Sequence, residues 1–343
     1  RLDPGGRLSV REALTAAEGF TPTQATGIHE GFTRDVVWYR CRLRNGGAAR
    51  GEWLVDVGGV IDYVDAHLET RGALRSSWGG RLRPFDRLDV TYPSFVVRVR
   101  VDGGDDATLL LRLRSGAPIV MRPRVWATHA FIGHALRELI ILGAFYAVLF
   151  VMLAYNAMLF ASTRERVYSR YVLFIVALIL FASTFDQTLP AVLTPRDPSW
   201  MATSGARFGS LLLAAVMAFA REYLETATWA PRYDRATHAL TAMCAVTFTL
   251  TFFTNAMVVK QAMFLVGFGV VVPTVGVAII AWRAGSRGAW WFMLATGATA
   301  AGFLTRGAVQ LGLLPTGPYT ENGWRFAVTF EVAMLSLGLA ARV

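Results

Sequence analysis

LIILGAFYAVLFVMLAYNAMLFA, residues 139–161, runs the length of a bilayer without a charged side chain. A helix crossing the hydrocarbon core needs about 20 predominantly apolar residues, so this stretch reads as a membrane span and divides the chain in two. Residues 1–130 are charged and rich in turn signals. Beyond the run, six further apolar segments of similar length follow, at about 169–188, 201–221, 237–255, 260–281, 289–313 and 323–341. The composition agrees. Hydrophobic residues make up 54%, charged residues 17%, and mean hydropathy is +0.41, too apolar for one soluble domain of 343 residues. The expected architecture is α+β and multi-domain: an N-terminal antiparallel β-sandwich over 1–130, a junction at 131–138, and a seven-helix membrane domain over 139–343.

The basic residues orient the spans. With the N-terminal domain outside, the inside loops carry Arg164, Arg166, Arg170, Arg221, Arg232, Arg235, Arg283, Arg287 and Arg342, whereas the outside loops carry Arg196 and Lys260. This asymmetry follows the positive-inside rule. Tyr168, Trp200, Trp229, Trp282, Trp290, Trp291 and Trp324 at the margins fit an interfacial aromatic belt. The net charge of +10 therefore reflects orientation and not nucleic-acid binding, for which no basic cytoplasmic domain is present. Cys41 and Cys244 fall in different regions and form no disulfide framework, and no zinc-ligand spacing occurs. No metal or cofactor is expected. An external domain needs a leader, and residue 1 is Arg, so a signal peptide is expected to have been removed.

After Gly31 the pattern has period two. VVWYRCRL (36–43), EWLVDV (52–57), DYVDAHLE (62–69), SFVVRVRV (94–101), ATLLLRLR (107–114) and IVMRPRV (119–125) alternate or carry β-branched and aromatic residues, and NGG, GG, WGG and DGGDD separate them. Short strands at such spacing predict an antiparallel sandwich, and residues 8–19 predict a short helix. Arginines alternate at 40, 42 and 44, at 98 and 100, at 112 and 114, and at 122 and 124, which places each set on one strand face. Such a face is either simply solvated or a groove for an anion or a sugar. On the second reading Trp38, Arg40, Trp53, Trp78, Arg98 and Arg112 are the candidate ligand-binding residues, with Trp126 a further aromatic. Residues 1–137 hold 20 Arg against 15 Asp and Glu, a balance of +5.

The stretches GFTRDVVWYRCRLRN (31–45), EWLVDVG (52–58) and ATLLLRLRS (107–115) resemble the periplasmic jelly-roll sensor of bacterial seven-transmembrane receptors with diverse intracellular signalling modules. YNAMLF (155–160), VYSRYVLF (167–174), FAREYL (219–224) and FEVAMLSLGLAAR (330–342) resemble the membrane region of the same family, in the same order. The resemblance implies an inner-membrane receptor with a periplasmic N-terminus and a cytoplasmic C-terminus. It implies sensing of a small molecule or carbohydrate, and control of a cytoplasmic output such as a diguanylate cyclase or histidine kinase after the seventh helix. The sequence stops at Arg342-Val343, as expected for the sensor half of a longer protein. The residues present are expected to be non-enzymatic, and such outputs imply a homodimer.

Ionisable groups inside a span are costly and are functional candidates by default. Glu331, Arg306 and Arg207 lie at similar expected depths in the outer half, with Arg325 shallower. The expected arrangement pairs Glu331 with Arg306, near Arg207 or Arg325, either as a structural ion pair or as a hydrated pocket whose occupancy shifts the seventh helix. Tyr155, Asn156, Asp186 and Gln187 are candidates to line the same cavity, and Pro273 is expected to kink the fifth span.

Other classes fit less well. A retinal protein needs a lysine in the seventh helix, and Lys260 opens the fifth. A transporter would show paired helix breaks in two repeats, and Pro273 has no counterpart. No HExxH, P-loop or GxGxxG marks an enzyme. The runner-up is a receptor subunit that acts on a separate cytoplasmic partner through the loops 162–170 and 221–235.

Overall fold

A computed structural model describes residues 1–16, 18–22, 28–31, 33, 35–116, 119–253, 256–310, 313–314 and 317–340. The terminal pair Arg342-Val343 lies outside these. The chain divides into two compact units: Arg1–Leu139 with Asp186–Ala202 and Gln310–Gly312, and Ile140–Phe185 with Thr203–Val309 and Leu313–Val343.

Among the described residues the first unit is built on ten strands: β1 (Leu2–Asp3), β2 (Ile28–Gly31), β3 (Val36–Arg44), β4 (Gly51–Asp56), β5 (Tyr63–Thr70), β6 (Ala73–Gly79), β7 (Val96–Val101), β8 (Asp106–Arg114), β9 (Ile119–Met121) and β10 (Arg124–Ala127). They form a five-stranded antiparallel sheet in the order β1-β3-β8-β5-β6, a three-stranded sheet in the order β10-β4-β7, and the pair β2-β9. Alternation decides the faces. Along β5, Val64, Ala66 and Leu68 are buried while Tyr63, Asp65 and His67 are half-buried. Val37, Leu109, Leu111, Leu113, Val64 and Ala66 from the larger sheet share one core with Val55, Val97, Val99 and Val101 from the smaller. Burying each such side chain contributes about 1.5–3 kcal/mol. This is the expected sandwich.

Between β1 and β2 lies α1 (Val10–Thr15). Ser9 caps its N-terminus, accepting from Glu12 N while the Glu12 carboxylate accepts from Ser9 N, a reciprocal cap that satisfies two free donors. The strands differ from the sequence expectations in two places. IVMRPRV is not one strand but β9 and β10, which belong to different sheets. Pro123, lacking an N–H, breaks the ladder between them. And β6, which the sequence reading passed over, forms a hairpin with β5 through Arg71 and Gly72, both at positive φ (50° and 78°), the geometry of a two-residue hairpin turn.

The segment 186–202 belongs to this first unit. Phe85 N donates to Pro195 O at 2.8 Å, Gln187 Nε2 donates to Pro93 O at 2.9 Å, and Arg196 lies 3.5 Å from Asp86.

The helices after the sandwich are α2 (Thr128–Thr163), α3 (Arg166–Phe185), α4 (Thr188–Leu193), α5 (Met201–Tyr223), α6 (Thr226–Trp229), α7 (Pro231–Leu250), α8 (Ala256–Arg283), α9 (Arg287–Gln310) and α10 (Pro318–Ala340). Seven of them have 20 residues or more. Among the described residues α2, α3 and α5 are long and apolar enough to cross a membrane by length and composition. The second unit packs around an aromatic cluster of Tyr171, Phe174, Phe219, Tyr223 and Phe292. Arg221 and Asp234 form a two-pronged ion pair between α5 and α7 at 2.9 and 3.1 Å.

Candidate functional site

The outward face of the five-stranded sheet carries one cross-strand row of chemistry. Trp38 on β3 stands opposite Arg112 on β8, Arg112 opposite Asp65 on β5, and Asp65 opposite Trp78 on β6. In the next row Tyr63 stands opposite Arg114. Asp65 accepts from Arg83 at 2.5 Å through Oδ1 and from Arg112 at 3.3 Å through Oδ2. The Arg83 guanidinium lies 5.2 Å from the Trp78 ring centre and 5.7 Å from that of Tyr63, and Arg114 lies 4.7 Å from Tyr63. His67 Nδ1 meets Ser76 Oγ at 2.8 Å. Burial pushes the His67 imidazole below its ordinary value, against the opposing charge of Asp65 and with Arg112 adding to the effect.

The six ligand-binding residues expected from sequence separate. Trp78 and Arg112 lie in this open row. Trp38 shares the row but is 1% exposed, covered by Ala13 and Leu14 of α1 and by Phe20 beyond it, and its Nε1 donates to Asp3 Oδ2 at 3.0 Å. Arg40 is also structural. It donates to Ala16 O at 2.8 Å and Leu14 O at 3.4 Å, closing the carbonyl end of α1. Trp53 points into the sandwich with Val55, where its ring lies over Gly51. The parity of EWLVDV puts Trp53, Val55 and Val57 on one side and Glu52, Leu54 and Asp56 on the other, so this was legible. Arg98 sits on the three-stranded sheet, bound with Arg100 to Glu52 at 3.0 and 2.7 Å.

Sequence reasoning missed Tyr63, Asp65 and Arg83, and it placed Arg114 on the arginine face without naming it as a ligand contact. The first two share the polar parity of DYVDAHLE, and Arg114 the parity of Arg112. Arg83, on a loop, gave no periodic signal.

The outward face of the three-stranded sheet is covered at one end, while Glu52, Arg98 and Arg100 stay partly open at the other. Leu54 and Val96 are buried against Phe131, with Tyr92, Trp126 and Ala135 around them, and Trp126 stacks on His134 at 4.8 Å. Beneath lies Asp56, whose Oδ1 accepts from Ser94 Oγ and from Gly58 N. Burial pushes its carboxyl above the ordinary value against those two donors. Asp3 behaves oppositely. Burial pushes it up, but the Trp38 indole and the Leu8 and Arg7 amides, with Arg112 nearby, more than offset that and hold it below the ordinary value.

The helical candidates also fall apart into separate contacts. Glu331 is 7% exposed and accepts from Thr299 Oγ1 at 2.8 Å. Its expected ion pair with Arg306 is not formed. The Arg306 guanidinium instead lies over Phe185 at 5.5 Å and Trp324 at 5.6 Å. The cause is register. Thr299 and Arg306 are seven residues apart on α9, as are Trp324 and Glu331 on α10. The antiparallel pair therefore sets Thr299 against Glu331 and Arg306 against Trp324, two turns or about 10 Å away. The similar expected depths follow from spans over 289–313 and 323–341, whereas α9 ends at Gln310 and α10 begins at Pro318.

Arg325 bonds Asn322 Oδ1 and lies 5.4 Å from the Trp324 ring centre. Arg207 donates to Thr251 Oγ1 at 3.1 Å and Thr203 Oγ1 at 3.2 Å, beneath Phe252. Asn156 is buried and donates to Ser336 Oγ at 3.0 Å, whereas Tyr155, one residue earlier, is 42% exposed. Asp186 and Gln187, expected in the same cavity, belong to the first unit.

Two family models match. One, described as 7TM diverse intracellular signalling, covers residues 138–342, and the other, 7TMR-DISM extracellular 2, covers residues 2–127. Comparison with curated proteins gave no match. Together the two models span almost the whole chain in the order found for the sandwich and the helices, and the chain belongs to the family of seven-transmembrane receptors with diverse intracellular signalling modules.

Proposed function

We propose that the chain is the sensing and membrane part of a bacterial inner-membrane receptor. Its sandwich faces the periplasm and binds a small molecule or carbohydrate on the outward face of the five-stranded sheet. The observation that carries this reading is the uneven covering of the sandwich. On the three-stranded sheet Phe131, Ala135 and Tyr92 cover Leu54 and Val96, and Glu52, Arg98 and Arg100 engage one another beside them, while α1 covers the β3 side of the larger sheet. Tyr63, Asp65, His67, Trp78, Arg83, Arg112 and Arg114 remain partly or fully open on the rest. Rigid strands holding aromatic and charged side chains at fixed spacing suit a recognition surface.

Signalling then works by population shift, which requires that the ligand prefer one of two receptor states. The chain leaves the sandwich through residues 126–138, where Phe131 packs on Leu54 and Val96, and α10 carries the change toward a cytoplasmic cyclase or kinase module, attached or separate. The receptor acts as a homodimer, since such outputs pair their subunits. The arginine-rich loops set the topology, with the N-terminus periplasmic and the C-terminus cytoplasmic.

A thermal-shift panel of mono- and disaccharides on the full chain in detergent tests the sensing site. A saccharide that stabilises the wild type and not Trp78→Ala is expected. Stabilisation that ignores Trp78→Ala would contradict the assigned face.

A further inference from the structure

Within this face the charges do not balance. Asp65 divides its two oxygens between Arg83 and Arg112, which leaves one carboxylate for two guanidiniums. Arg114, in the neighbouring row, is exposed and has no carboxylate partner among the described residues. Glu52 on the smaller sheet is likewise shared by Arg98 and Arg100, whereas Arg81 lies against Asp62 at 2.5 Å and Arg44 near Asp106 at 3.8 Å.

The rings matter as much as the charges. Trp78 and Tyr63 are the aromatic side chains a neutral sugar would stack on, yet Arg83 lies over both and Arg114 over Tyr63. A sugar that stacked on either ring would first have to displace such a cation–π contact. The rings therefore hold guanidiniums in place, and the guanidiniums are what a ligand meets. A guanidinium fork matches the two-oxygen edge of a carboxylate, sulfate or phosphate and binds it by charge-assisted hydrogen bonds. Prior fixation by Tyr63, Trp78 and Asp65 lowers the ordering cost of binding.

We propose that this surface recognises an oxyanion carried on a polar ring, an acidic saccharide being the simplest form, with Arg114 and the remaining N–H groups of Arg83 holding the anion. The inference rests on the sensing reading above and narrows it to a ligand class.

Titration calorimetry on the full chain in lipid nanodiscs, with glucuronate, glucose 6-phosphate and glucose as probes, tests it at low and high salt. A charged probe is expected to bind more tightly than glucose by roughly tenfold, the effect of one charge-assisted hydrogen bond, and to weaken as salt rises. Arg114→Gln, an exposed substitution that leaves the fold intact, removes that advantage, and Arg114→Lys keeps most of it. Response to glucuronate alone would mark a carboxylate site and to glucose 6-phosphate alone a phosphate site; either supports the proposal. Failure of both charged probes to bind overturns it. Glucose binding as tightly as either charged probe, dependent on Trp78 and indifferent to Arg114→Gln, also overturns the anion class while leaving the sensing face standing. No saccharide binding, together with unchanged signal output from Trp78→Ala in the native receptor, would overturn both.

Discussion

Trp38 and Trp324 are both buried tryptophans beside arginine, and the two units treat them differently. In the sandwich, Trp38 gives its indole N–H to the carboxylate of Asp3, while Arg112, 5.9 Å from its ring centre, pairs with Asp65. In the helical unit, Trp324 has no hydrogen-bond partner for its N–H among the described residues, and its ring meets the guanidiniums of Arg306 and Arg325. Arg207 follows the same rule, held by two threonine hydroxyls and Phe252. A sandwich bathed in water can place acids and bases side by side, because what remains unpaired is solvated. In a membrane domain each added carboxylate would carry its own insertion cost. Rings and hydroxyls accommodate a cation without that cost.

The largest expected effect tests the sandwich side of this contrast. Trp38→Ala removes a fully buried ring and one donor to Asp3 and should destabilise the sandwich by about 3–5 kcal/mol, read from urea unfolding of the full chain in detergent. A loss below 1 kcal/mol would mean that α1 does not pack as described. On the helical side, a Cβ at Gly302 would stand 2.7 Å from Ala327 Cβ and 3.1 Å from Trp324 Cα. Gly302→Leu should therefore part α9 from α10 and cost about 1–3 kcal/mol, with a shift in basal output if α10 carries the signal.

Asp56 sharpens the comparison through pH. Its folded value is raised above 3.8, so folding takes up a proton. Stability is greatest below 3.8, falls as pH rises through the raised folded value, and is flat above it. Asp56→Asn keeps an oxygen for Ser94 and Gly58, removes that slope, and should raise the melting temperature at pH 7. Unchanged pH dependence in a melting series would show that the buried carboxyl is not the source.

The smaller effects lie in the helical unit. Trp324→Phe keeps a ring between the two arginines and gives up an N–H that has no partner among the described residues. It should cost less than about 1.5 kcal/mol by thermal unfolding, and a larger loss would reveal a hidden acceptor. Glu331→Gln retains an oxygen for Thr299 and should cost less than about 1 kcal/mol. Altered output from that variant supports Glu331 as part of the switch, whereas unchanged output with slightly lower stability leaves it structural.

Much of this was legible in the sequence where periodicity alone decides. The arginines of VVWYRCRL and ATLLLRLR fall on the outward face because period two admits two faces and Val37, Leu109, Leu111 and Leu113 occupy the other. DYVDAHLE already separated Tyr63 and Asp65 from Val64 and Ala66. What could not be read was long-range pairing. Arg83 reaches Asp65 from a loop, and β6 carries too little alternation to stand out beside its hairpin partner. Arg40 has the same parity as Arg42, but its place at the end of α1 depends on how residues 10–15 cross the sheet. The Glu331–Arg306 pairing failed for a similar reason. Distances counted from the ends of apolar runs drift by several residues, and two turns of helix separate an ion pair from a cation–π contact.

Hydrogen–deuterium exchange on the full chain in nanodiscs, with and without the saccharide that stabilises it most, tests the central claim most directly. The account predicts protection in Tyr63–Thr70 and Ala73–Gly79, little change in Gly51–Asp56, and altered exchange in α10. Protection confined to Gly51–Asp56 and Val96–Val101, or an unchanged α10, would contradict it.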